Sequence, residues 1–167
     1  MPEFQLNVPP SARELAQARR YNPSLRKRVH SFYNLDDFAR GYVEAMFFTN
    51  GDIGDEDRPD LLNELGVDRL TRAAVADIAA DCAKFQSANR ADLDAAKALE
   101  PGADDFRYAR DDLDDRRLGH LFWYARQGHG VAFTDDGDAE FLARLQDAAR
   151  RFGEAYCEVY RGWIGHR

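Results

Sequence analysis

From Leu35 onward the chain places apolar residues at three- and four-residue intervals. Leu35, Phe38, Tyr42, Ala45, Met46 and Thr49 share one face, which predicts a helix that stops at Asn50-Gly51, with Asn34 and Asp37 as its cap pattern. The same spacing recurs in Leu70, Val75, Ile78, Cys82, Phe85, Leu93 and Ala96. That alanine-rich stretch, Val67 to Leu99, predicts one long helix or two abutting ones, with Asn89 as the break. A third periodic set, Phe141, Leu142, Leu145, Ala148 and Ala149, predicts a helix capped by Asp138 and running to about Phe152. Elsewhere the period drops to two. "HLFWYAR" and "VAFT" flank "QGHG" and predict a β-hairpin, with His120, Phe122, Tyr124 and Arg126 on one face and Leu121, Trp123 and Ala125 on the other. Gly128 and Gly130 then supply the positive dihedrals of the turn, and His129 stands at its tip. "AYCEVYRGWI" alternates as a final strand. The expected fold class is α+β: a small antiparallel sheet of about three strands, hairpin plus C-terminal strand, packed against helices.

Residues 1–34 read differently. Pro9-Pro10 and "SARE" open a short helix through a capping box of Ser11 and Glu14, "YNPS" breaks it, and Ser24 caps a second. This stretch holds six basic against two acidic residues, +4, whereas residues 35–167 hold 17 against 28, −11. The division is therefore a basic helical arm, 1–34, and an acidic domain, 35–167. Such an arm points to self-association as a homodimer or to a partner of its own, and the acidic body repels phosphate backbones.

A chain of 167 residues with 44% hydrophobic residues suits one core. No apolar run reaches the length of a membrane span, and the first residues lack an apolar segment followed by a cleavage site, so a cytoplasm is the expected compartment and no membrane partner is expected. Cys82 and Cys157, far apart and outside any C-x-x-C pair, are expected as buried, reduced thiols.

Most standard chemistries fail on spacing. In "NGDIGDEDRPD", setting Gly54 at the turn of a calcium loop puts Thr49, Gly51 and Ile53 at the first three ligand places. His120 and His129 stand nine residues apart, without the spacing of zinc-binding histidines. No serine sits in a G-x-S-x-G elbow, "GHG" is only a fragment of a dinucleotide fingerprint, and no Walker A sequence occurs. Neither cofactor nor metal is expected.

Three ordered segments, "ADCAKFQSANRADLDAA", "GHLFWYARQGHGVAFTDDGD" and "RLQDAARRFGEA", resemble a widespread family of small acidic proteins of tailed bacteriophages and prophages. The matching positions are Asp81, Cys82, Phe85, Asn89, Asp92, Leu93, Gly119, His120, Phe122, Trp123, Arg126, Gly128, His129, Gly130, Phe133, Asp135 and Gly137. Thr134 departs from a tryptophan of that pattern, and the arm has no counterpart in short members. The likeness implies a phage or mobile-element origin and no particular reaction.

The expected function is an accessory protein that binds and inhibits a host nucleic-acid-handling or defence complex by protein contact, as an acidic nucleic-acid mimic. Its candidate contacts are Asp104, Asp105, Asp111, Asp112, Asp114, Asp115, Phe122, Tyr124, Arg126 and His129. The alternatives are a nucleic-acid binder, using Arg19, Arg20, Tyr21, Arg26, Lys27 and Arg28 of the arm, and a small enzyme with His120 or His129 as acid–base and Cys82 or Cys157 as thiol.

Overall fold

The structure, a computed structural model, describes residues 32–50, 61–99, 113–130, 132–135 and 138–167. In chain order these form α1 (Asp37–Thr49), α2 (Leu61–Leu65), α3 (Arg72–Ala88), α4 (Arg90–Lys97), α5 (Asp115–Arg126), α6 (Glu140–Arg150), β1 (Cys157–Tyr160) and β2 (Trp163–His166), with single 3-10 turns at Val67–Arg69 and Phe133–Asp135. The described residues are mostly helical, with one two-stranded antiparallel sheet. The arm lies outside them up to Ser31, as do residues 51–60.

Helix α1 begins two residues later than an Asn34 cap implies. Asp36 caps it, its Oδ1 accepting from the Ala39 amide at 2.8 Å. Phe38, Tyr42, Val43, Met46 and Phe47 are all buried, so α1 is covered around most of its circumference and forms the centre of the fold. Phe32, just upstream, is also part of the core. Asn89 divides α3 from α4 as its position suggests: its amide and its side chain both donate to the Phe85 carbonyl, at 3.1 and 2.8 Å, which ends one helix where the next starts. The third periodic set is also helical, but α6 starts at Glu140 after Ala139, which has no side-chain oxygen to cap with, and ends at Arg150.

The expected hairpin at 119–134 is instead helix α5 followed by a 3-10 turn. Three forces settle it. Asp114 accepts from the Arg117 amide at 2.7 Å and caps the helix; Leu118, Leu121, Phe122 and Ala125 recur at helical spacing and are fully buried; and Gly119 lets α5 lie directly on α1. A Cβ on Gly119 would run into the Phe38 carbonyl, and one on Gly41 into the Arg116 carbonyl, so the two helices meet backbone to backbone through reciprocal glycines. Aromatic β propensity loses to this packing. Of the two glycines expected at positive φ, Gly128 has it, at 70°, and Gly130 does not.

The real hairpin is the C-terminal stretch. Instead of one strand, it forms β1 and β2, paired Cys157 with His166 through Tyr160 with Trp163. Arg161 and Gly162, at φ 50° and 73°, make the two-residue turn, both in the left-handed region that matches strand twist. β2 is anchored to the helices by a parallel bridge from Ile164 to Leu70 and by the Thr71 amide donating to the Ile164 carbonyl at 2.9 Å. Gln127 bonds both backbone groups of Ala155, two residues before β1, each at 2.7 Å. Between helices and hairpin lies an aromatic core in which Phe85 and Phe122 stack at 4.2 Å, with Phe38, Phe133 and Phe152 around them.

Candidate functional site

The residues expected to face a partner do not share a face, because a helix turns them in different directions. Phe122 is fully buried and Arg126 nearly so, which removes both from any contact surface. Tyr124 is half-buried and His129 exposed, their rings edge to face at 6.2 Å, with the His129 amide donating to the Tyr124 carbonyl at 3.0 Å. Asp114 is committed to its cap, and Asp115 pairs with Lys97 at 3.1 Å. Asp104, Asp105, Asp111 and Asp112 lie outside the described residues, as do the arm candidates Arg19, Arg20, Tyr21, Arg26, Lys27 and Arg28.

Arg126 is the hub of a buried network. Its Nε donates to the Gly153 carbonyl at 2.8 Å, and its Nη1 to the Tyr42 hydroxyl at 2.8 Å and to Asp81 at 2.9 Å. The guanidinium also sits over the rings of Tyr42, Phe122 and Phe152 at 5.9, 5.8 and 5.8 Å. The Tyr42 hydroxyl accepts from Arg126 and also lies in hydrogen-bond contact with Nε2 of His166, 2.8 Å away. The other ring nitrogen of His166, Nδ1, is buried with no hydrogen-bond partner among the described residues. Burial, with Arg126 nearby, pushes His166 down to about 4 and holds it neutral.

His120 belongs to a second cluster, where α1 crosses α5. Glu44, nearly buried, receives Arg116 through Nε at 2.7 Å and through the terminal nitrogen, and receives His120 Nε2 at 2.9 Å. Arg116 already balances the carboxylate, so the imidazole need carry no charge. Burial, then Arg117 and Arg116, push it down to about 4. This is an ion pair that ties two helices where their glycines bring them together.

The thiols are poorly placed for chemistry. Burial pushes Cys82 well above the ordinary thiol range and half-buried Cys157 up to about 12, so neither supplies thiolate near neutral pH. Across the sheet, Cys157 faces neither His120 nor His129: its register partner is His166. Among the described residues no group of three or more His, Cys, Asp or Glu is placed to hold a metal, and no helix is long and apolar enough to cross a membrane.

A groove of about 500 Å³ lies beside the hairpin, lined by Thr71, Ala73 and Ala74 at the start of α3, by Glu158, Tyr160 and Arg161, and by Trp163, Gly165, His166 and Arg167. Along β1, Tyr156 and Tyr160 are 66% and 65% exposed, far more than aromatic side chains in a core. None of this was singled out from sequence. The signal was "YRGW", a glycine-bearing two-residue turn inside an alternating run.

No protein-family model, no curated protein and no solved structure matches the chain.

Proposed function

We propose that the chain is a bacteriophage or prophage accessory protein that acts by protein contact, occupying the nucleic-acid-binding surface of a host or defence complex. One observation carries the reading: the net charge is concentrated in two segments. Residues 51–60 and 100–112 hold ten acidic against three basic residues, a balance of −7 that equals the net charge of the whole chain, while all other residues hold twenty of each. Two strongly acidic segments on an otherwise balanced chain suit a partner whose own surface is built for phosphate. The resemblance to phage proteins supports the setting. Several of its matching residues, Phe85, Leu93, Phe122, Trp123 and Phe133, are core side chains, so that likeness describes the frame that carries the charged segments.

The test compares wild type with a variant in which Asp104, Asp105, Asp111 and Asp112 are each changed to Asn, captured from host lysate at low and high salt. The expected partner is held at low salt, released by high salt and by added duplex DNA, and lost from the variant, whose circular dichroism is unchanged. A partner that survives neutralisation or resists duplex DNA overturns the reading, as does finding none at low salt.

A further inference from the structure

We infer that the groove beside the C-terminal hairpin is a binding site for a nucleoside phosphate. On the outward face of the hairpin, Glu158 stands opposite Gly165 and Tyr160 opposite Trp163. Gly165 has no side chain, and the Glu158 side chain fills the space a Cβ there would take, its Cγ 3.0 Å from that position. One wall is aromatic. Arg161 lies over the Tyr160 ring at 5.2 Å and Arg69 over Trp163 at 5.8 Å, and both rings line the groove, a surface on which a nucleobase stacks. Arg167 forms the other wall.

The third side is the first turn of α3. Its terminus is fixed against β2 by the Thr71 amide, and Thr71 Oγ1 takes the Ala74 amide at 3.1 Å. The amides of Arg72 and Ala73 have no acceptor within the helix, as at any helix start, and Ala73 lines the groove. Arg161 adds positive charge. Glu158 is the one carboxylate among the lining residues, and it is neutralised by Arg167 at 2.9 Å. His166, also in the lining, has the unpartnered Nδ1 described above, a polar atom that a ligand would satisfy. Aromatic faces, arginines and amide donors around one small groove suit a ligand that is flat at one end and anionic at the other. The groove is small, about 500 Å³, which suits a free mononucleotide in preference to a strand.

The site is independent of the partner reading, and its test uses the full chain alone. Isothermal titration with AMP, CMP, GMP and UMP is compared with inorganic phosphate and a short single-stranded oligonucleotide. At least one mononucleotide is expected to bind roughly tenfold or more tightly than phosphate, and Trp163→Leu and Arg167→Ala each to weaken it about tenfold. Arg161→Asn, which keeps a residue suited to the left-handed turn, is expected to weaken it with circular dichroism unchanged. Silence to millimolar mononucleotide overturns the inference. So does phosphate binding as well as the nucleotides, binding by the oligonucleotide alone, or affinity unchanged in all three variants.

Discussion

At positions 41 and 119 the neighbouring carbonyls leave no room for a methyl group, so the identity of each residue is set by backbone on the opposing helix. Gly119→Ala therefore forces α5 away from α1, and a loss of about 3 kcal/mol, the upper end of ordinary overpacking, is expected in thermal or urea unfolding. His166 sets a different constraint, through pH. It titrates near 4 when folded against an ordinary 6.5, with burial first and Arg126 second pressing it down and Asp81 and Asp77 opposing. As pH falls, the unfolded chain takes up the proton first, so stability is full above about pH 6.5 and declines toward pH 4. At about 1.4 kcal/mol per pH unit the contribution approaches roughly 3 kcal/mol, and His120 acts in the same direction. Urea unfolding near pH 7 and near pH 4.5 measures this, and His166→Gln should show the shallower dependence. A flat profile in the wild type would refute the assignment.

Among the elements, those with one unambiguous period were legible in the sequence. The apolar face of α1, the divided α3–α4 pair with Asn89 between, and α6 follow from three- and four-residue spacing. The stretch that became α5 carries both periods. "LFWYA" alternates as well as it winds, Gly119 looks like a helix breaker, and what makes glycine necessary there is a contact with residues nearly eighty positions away. The local signal that favoured a helix was Asp114, three residues before the amide it caps. Asp114→Ala should then cost about 1 kcal/mol, read as a drop of a few degrees in melting temperature, whereas a strand at this position would lose nothing. The groove was illegible for a related reason. Its walls come from the start of α3 and from both arms of the hairpin, far apart in sequence and brought together by the Leu70–Ile164 bridge and the Thr71–Ile164 hydrogen bond.

At the scale of the whole fold, the sheet has two strands among the described residues, where the sequence pattern predicts about three. Gln127, just past the end of α5, replaces part of the missing one: its side-chain amide donates to the Ala155 carbonyl and accepts from the Ala155 amide, as a neighbouring strand would. Exposed backbone at a sheet edge is where separate chains recruit one another, and here Tyr156 and Tyr160 stand beside that edge, exposed. Gln127→Leu removes the amide and leaves both groups of Ala155 open. The variant is expected to keep its helical circular dichroism and yet scatter light progressively on storage, with a rate that rises with concentration, while the wild type stays clear. Shelf life in solution would then turn on one carboxamide, the group that holds the chain where it enters the sheet.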